Sequence, residues 1–344
     1  MKEMNIYMKE FKKVNKTLIK SNNTTTKIFN RYLYCLIPFI LLIIISNLIS
    51  RTSNNIMSLL ISITVSIFTS SLTQIIFNSI KKENNNIKDI FIDGQILTLS
   101  LMIGLFAIDT SIPITIISTI ITIIIKNIFP SKTFSSTLYG LLIILVAKQF
   151  QNNLDTPLTN LVQFKYVGSY NEIVTSYGNI IKYILGLNPY YLSPILSVVA
   201  FIYLFYKKSI KYNIVVSYIL TISFTMLIFG MFNNMNVWYL LFQLTTGNLL
   251  FLSVFCLTDY PDTPISGEGQ LIYGMILGLI TSILRFIIPE LSVIIPLILG
   301  PILLTRIINK ISFKLKYNHK YYYTILISTI MCIIISTTIL TIMF

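Results

Sequence analysis

The chain has 344 residues, enough for two or three soluble domains. Its composition excludes that arrangement: 54% of residues are hydrophobic, only 11% are charged, and mean hydropathy is +0.77. A soluble surface carries roughly a quarter to a third of its positions charged. The formal net charge of +14, from 26 basic and 12 acidic residues, points to nucleic acid, anionic lipid or membrane topology, and placement must decide.

In chain order, residues 1–31 hold eight basic residues, from Lys2 to Arg31, and are read as a cytoplasmic basic tail. The stretch is too polar to be the apolar core of a signal peptide. Ile6, Phe11, Leu18 and Ile19 suit a segment lying on anionic lipid; a solvated tail fits as well. Apolar runs then predict about eleven helices, near 33–50, 56–80, 92–108, 112–126, 136–149, 191–206, 212–230, 237–257, 269–287, 291–308 and 321–344. Crossing a hydrocarbon core takes roughly 17–25 helical residues, with short or tilted members allowed. Isoleucine and threonine favour strands, but backbone groups in lipid must bond internally. Period-two alternation is absent, so the fold class is an all-α polytopic membrane protein with about 10–11 spans.

Lys81, Lys82 and Lys88 follow the second span, and Lys126 and Lys132 the fourth. Lys207, Lys208 and Lys211 follow the sixth; Arg306, Lys310, Lys314, Lys316 and Lys320 follow the tenth. With the tail cytoplasmic, 21 of 26 basic residues share one side, as the positive-inside rule requires. The expected placement is the cell membrane, N-terminus in and C-terminus out. Topology absorbs the charge, so no nucleic-acid partner is expected. The exceptions are Arg51, Lys148, Lys165, Lys182 and Arg285.

The single histidine, His319, excludes bis-histidine haem ligation within the chain. Cys35, Cys256 and Cys332 stand far apart in apolar stretches with no metal or cluster spacing. Three inert thiols is the simpler reading; one of them as an intersubunit metal ligand is the alternative. An electron carrier held by this chain alone is therefore expected to be organic.

Asp93-Gly94-Gln95-Ile96-Leu97 aligns with Thr246-Gly247-Asn248-Leu249-Leu250, Ser100 with Ser253, and Asp109-Thr110 with Asp262-Thr263. Spans three and four thus recur as eight and nine. An odd number of spans per unit makes two inverted five-helix repeats, expected at 32–150 and 191–310. An external loop at 151–190 separates them, and 311–344 adds a basic loop and an extra helix. Gly94 and Gly247-Asn248 are expected helix interruptions, or else close-packing positions.

Residues 242–289 contain Thr-Thr-Gly247-Asn, Cys256-Leu-Thr258-Asp259, a glycine eleven residues after that threonine (Gly269), Leu-Ile-Tyr-Gly274, Gly278 and Arg285. This pattern resembles the NqrB/RnfD family, the membrane-embedded flavin subunits of two related redox pumps. One pump is the Rnf-type ion-translocating electron transport complex; the other is the Na⁺-translocating NADH:quinone reductase. The family's proline after Thr-Asp is here Tyr260, and its Phe-Asn-Pro-Ala run is Phe134-Ser-Ser-Thr137.

The resemblance implies ten spans in two inverted halves and FMN held covalently on a threonine of the external loop. Thr156-Pro157-Leu158 matches the end of that attachment motif, while Leu154-Asp155 replace its Gly-Ala. An acidic neighbour sits awkwardly beside a phosphoester, and Asp155-Thr-Pro also reads as a helix start. Thr175 is the poorer candidate. Riboflavin or another non-covalent flavin is the second cofactor expectation; Gly247, Asn248, Thr258 and Arg285 are further candidate cofactor contacts, Arg285 through a flavin phosphate. Arg285 is alternatively expected to pair with Glu290.

Asp259, Asp262 and Asp93 are candidate ion-pathway carboxylates. A solvated turn is the simpler reading of the first two, and headgroup water of Asp93. The implied function is electron transfer in the membrane coupled to Na⁺ or H⁺ movement, with other membrane and peripheral subunits as partners. The competing class is a non-redox secondary transporter or channel on the same scaffold, without flavin.

Overall fold

The computed structural model describes residues 25–49, 53–81, 94–108, 110–129, 133–150, 185, 192–232, 238–259, 262–288, 291–315, 327 and 329–331. Among these residues all regular structure is helical. The helices are α1 (Thr25–Ile49), α2 (Ser53–Lys81), α3 (Gln95–Phe106), α4 (Ile112–Ile128), α5 (Ser135–Phe150) and α6 (Pro194–Tyr206). They continue as α7 (Tyr212–Phe232), α8 (Trp238–Thr245), α9 (Leu249–Phe255), α10 (Gly267–Ile287) and α11 (Ile294–Leu299). A π-helical turn, Gly300–Leu304, joins α11 to α12 (Thr305–Leu315).

Five described helical segments are long and apolar enough to cross a bilayer, and four apolar helices are shorter. The chain is an all-α polytopic membrane protein. Its many hydroxyls are tolerated because they fold back on their own helices. Ser66 donates to the Ile63 carbonyl at 2.8 Å and Thr122 to the Ser118 carbonyl at 2.8 Å. Each such bond removes a donor that lipid could not satisfy.

The same pairings recur along the two stretches of chain. α2 packs on α4 and α1 on α3; later, α7 packs on α10 and α6 on α9. Contacts also run between the stretches, from α1 to α6 and from α5 to α11. Their shared core is aromatic. Tyr32 of α1 stacks on Phe134 at 4.1 Å, and Phe39 meets Phe251 of α9 edge-on at 5.3 Å. Offset and edge-to-face ring pairs are worth about 0.5–1.5 kcal/mol beyond their burial.

Close helix approach is concentrated where α7 crosses α10. A Cβ on Gly274 would lie 2.6 Å from the Ile214 carbonyl and overlap Ser217 Oγ. One on Gly278 would overlap Thr221 Oγ1 and sit 3.0 Å from the Tyr218 carbonyl. Small residues at this four-residue spacing let two helices approach in lipid, where the attraction is packing itself. Gly140 of α5 makes a similar approach to α4, where a Cβ would lie 2.8 Å from the Ser118 carbonyl.

Two boundaries differ from the sequence expectation. Helix α1 begins at Thr25, inside the expected tail, because Phe29 and Tyr32 are core residues. Arg31 also donates to the Lys207 carbonyl at 2.9 Å and to Ser209 Oγ at 2.8 Å. The last described long helix runs to Leu315, past the expected span end at 308, whereas the span expected at 237–257 divides into α8 and α9 at the expected interruption, Gly247-Asn248. Of the expected helix 321–344, only residue 327 and residues 329–331 are described, and they are helical.

Candidate functional site

The break between α8 and α9 is built from backbone that few residues adopt. Gly247 has φ +69° and Asn248, the residue before α9, has φ +54°. The counterpart of Gly247 in the internal alignment, Gly94, also has positive φ (+66°) and precedes α3. Glycine takes this left-handed conformation without a Cβ penalty, and asparagine is among the few others that tolerate it. Asn248 Oδ1 accepts from the Leu192 amide at 2.7 Å, tying the break to the start of α6.

Arg285 is buried at 2% exposure and closes the other side of this break. Its guanidinium donates to the Gln243 carbonyl, and Nη2 to the Thr246 carbonyl at 2.6 Å. These oxygens are ones that the C-terminus of α8 leaves without helical donors. A cation there also answers the negative end of the helix dipole. Lys148 does the same for α3, donating to the Phe106 carbonyl at 3.1 Å. Two of the five exceptions to the positive-inside count are thus helix-end caps. The remaining three, and Glu290, lie outside the described residues.

The second assembly sits in the loop between α9 and α10. Asp259 is only 4% exposed, so it is not the hydrated carboxylate of a solvated turn. Oδ1 accepts from Thr133 Oγ1 at 2.5 Å and Oδ2 from the Ser135 amide at 3.0 Å. Asp259 therefore caps the N-terminus of α5 from 124 residues away in sequence, where a carboxylate is favoured by free amides and by the dipole. Ser135 Oγ extends the contact to Asp262 Oδ2 at 3.2 Å. Burial pushes the Asp259 carboxyl above the usual carboxylate range, with the Thr133 and Ser135 hydrogen bonds opposing and Asp262 reinforcing the rise.

Lys211, before α7, fixes the far side of this loop. Its ammonium donates to Thr263 Oγ1 at 2.7 Å, the Thr263 carbonyl at 3.2 Å and the Pro264 carbonyl at 3.3 Å. Burial, opposed in part by the charge of Asp259, lowers its pKa to about 8. Lysine with an ordinary pKa near 10.4 is protonated well beyond pH 8. In pH-dependent amine labelling of the folded chain, Lys211 is expected to become reactive with a midpoint near 8. Asp259→Asn removes the opposing charge and should move that midpoint lower. A midpoint above 10, or an upward shift in the variant, contradicts this arrangement.

The sequence-predicted residues thus fall into two groups. Gly247, Asn248 and Arg285 meet at the α8–α9 break; Asp259 and Asp262 meet at the start of α5, one short helix away. Thr258 is buried and its hydroxyl donates to the Val254 carbonyl at 3.3 Å, a contact within its own turn. Asp93, Thr156 and Thr175 lie outside the described residues. The polar side chains expected as flavin contacts, Asn248, Thr258 and Arg285, bond helix ends and backbone in this structure. Thr133, Ser135 and Lys211 are site residues that the sequence does not single out. Its signal is partial: 134–137 stands at a motif position, but nothing local tells that it faces the Thr258-Asp259 pair.

Residues 13–299 match the profile of the NQR2, RnfD, RnfE family. The chain belongs to that family. The match covers α1 through α11, and residues 300–344 lie outside it. A 105-residue stretch is 31% identical to a component of the Na(+)-translocating ferredoxin:NAD(+) oxidoreductase complex of Acetobacterium woodii. That stretch is 29% of this chain and spans only 31% of the relative's length. Within the NQR2, RnfD, RnfE family, then, this chain has two described polar assemblies, the capped helix break and the buried Asp259 loop.

Proposed function

We propose that this chain is a membrane component of an Rnf/Nqr-type redox complex, with FMN on Thr156, transferring electrons in the membrane coupled to Na⁺ or H⁺ movement. The observation that carries the reading is the family match over residues 13–299. The relative's name, that of a Na(+)-translocating oxidoreductase complex, supports the coupling. Flavin would supply the redox chemistry. The chain's residues would hold the external loop, keep the helix break closed and present carboxylates to the ion.

Several finer assignments belong to this proposal. The N-terminus is cytoplasmic, and the basic loops mark that side. The recurring helix pairings support two inverted five-helix halves at 32–150 and 191–310. Asp259, Asp262 and Asp93 contribute to the ion path, with the buried Asp259 taking up a proton more readily than an exposed carboxylate. The sequence has no nicotinamide fingerprint and no cluster-binding cysteines. The electron donor is therefore another subunit, with other membrane and peripheral subunits as partners.

A second reading, a non-redox secondary transporter that has lost flavin, is favoured by Leu154-Asp155 in place of the family's Gly-Ala. Flavin content separates the two. When the chain is purified from its native membranes and precipitated with acid, flavin is expected to remain with the protein pellet. Finding none in pellet or supernatant would leave the transporter reading.

A further inference from the structure

Helix α12 lies beyond the family match and has a face that neither α10 nor the Asp259 loop uses. Thr305, Ile308 and Ser312 form its buried side, and Thr305 Oγ1 donates to the Asp262 carbonyl at 2.7 Å. On the open side, Leu299 (44% exposed), Ile302 (49%), Leu303 (56%) and Ile307 (55%) run into exposed Arg306 and Lys310. In a membrane chain such an apolar stripe meets acyl chains.

The depth of the two cations follows from their neighbour. A Cβ on Gly269, in the first turn of α10, would lie 3.2 Å from Ile308 Cγ2 and 3.3 Å from Ser312 Cβ. Lys310 is therefore level with the start of α10. Arg306 lies roughly 6 Å farther into the bundle, at 1.5 Å per residue. Ile265 supports the same level: its amide bonds Asn309 Oδ1 at 3.3 Å, and its side chain is 85% exposed. Ser266 and Glu268 of that same turn are polar, as at a span end that reaches the interfacial layer. Arg306 is then an exposed guanidinium flanked by lipid-facing leucine and isoleucine, a place where a charge needs a partner at the headgroup level.

We propose that Arg306 and Lys310 bind the phosphate of one anionic phospholipid whose acyl chains lie along Leu299, Ile302, Leu303 and Ile307. The two cations stand one turn apart on the same face, the spacing at which neighbouring side chains converge on one ligand. Phosphate suits the forked guanidinium, and a net anionic headgroup answers both charges. A zwitterionic lipid offers the same phosphate with its own cation attached, so it competes poorly.

The test is native mass spectrometry of the full chain in detergent, titrated with phosphatidylglycerol or with phosphatidylcholine. Each basic residue near a headgroup is worth roughly a factor of five in affinity. Arg306→Gln with Lys310→Gln should therefore weaken the first bound phosphatidylglycerol at least about ten-fold and leave phosphatidylcholine unchanged. Both side chains are exposed, so the variant should melt within about 2 °C of the native chain. The charge-matched pair Lys27→Gln with Lys81→Gln should keep the native affinity. Affinity within two-fold of native in the first variant, an equal loss in the control pair, or displacement of the lipid by inorganic phosphate would each overturn the proposal.

Discussion

Arg285→Leu is expected to cost about 3–5 kcal/mol, the largest loss of any single side-chain truncation proposed for this chain. Two charge-assisted hydrogen bonds, to the Gln243 and Thr246 carbonyls, disappear together, and such bonds contribute about 1.5–3 kcal/mol each. Both oxygens belong to a helix end with no water to replace the donor, since Gln243 and Thr246 are buried. The temperature at which the detergent-solubilised protein aggregates should fall by roughly 5–10 °C. Arg285→Lys should recover part of this, because the ammonium keeps the charge but lacks the planar fork and reach with which the guanidinium meets both carbonyls. A Leu variant within 2 °C of the native chain would show that the α8–α9 break does not depend on this cap.

The second large effect is expected at the α7–α10 seam. Gly274→Ala forces a methyl toward the Ile214 backbone carbonyl 2.6 Å away, and a backbone oxygen has no rotamer to escape into. Overpacking of this kind costs about 1–3 kcal/mol per site, with more where both sites are filled. Gly278→Ala meets mainly the Thr221 side chain, its nearest backbone oxygen being 3.0 Å away. Thr221→Gly should therefore rescue Gly278→Ala more completely than Ser217→Gly rescues Gly274→Ala. The double alanine variant should lose the folded species in size-exclusion chromatography. Equal tolerance of both substitutions would mean that the helices cross farther apart.

What the sequence tells and what it withholds divide along physical lines. Span positions are legible because lipid imposes length and hydropathy directly. The predicted 112–126 and 136–149 fall within a residue or two of α4 and α5. The interruption at Gly247-Asn248 is legible too, since few residue pairs tolerate positive φ. Helix α1 starts earlier than polarity suggests because residues 25–31 are held by tertiary contacts of Phe29 and Arg31. The burial of Asp259 has no local sign. Its partners Thr133 and Ser135 are 126 and 124 residues away, and a carboxylate in a polar loop looks solvated until its cap is seen. Arg285 stands out as a motif residue, but its work as a helix cap is hidden because the carbonyls it serves belong to backbone.

Asp259 also joins the two stretches of the fold. A side chain in the α9–α10 loop holds the start of α5, and Lys211 holds that loop from the α6–α7 turn. Any change in the ionisation of Asp259 would thus be felt at a helix of the first stretch. That connection gives the proposed ion path a mechanical consequence without requiring a second site.

The central claim, flavin on this membrane chain, is tested most directly by in-gel fluorescence of the denatured protein beside its Thr156→Val variant. A fluorescent band is expected at the mass of the native chain and is expected to be absent from the variant. A native chain that shows no fluorescence, and releases no flavin on denaturation, would contradict that claim.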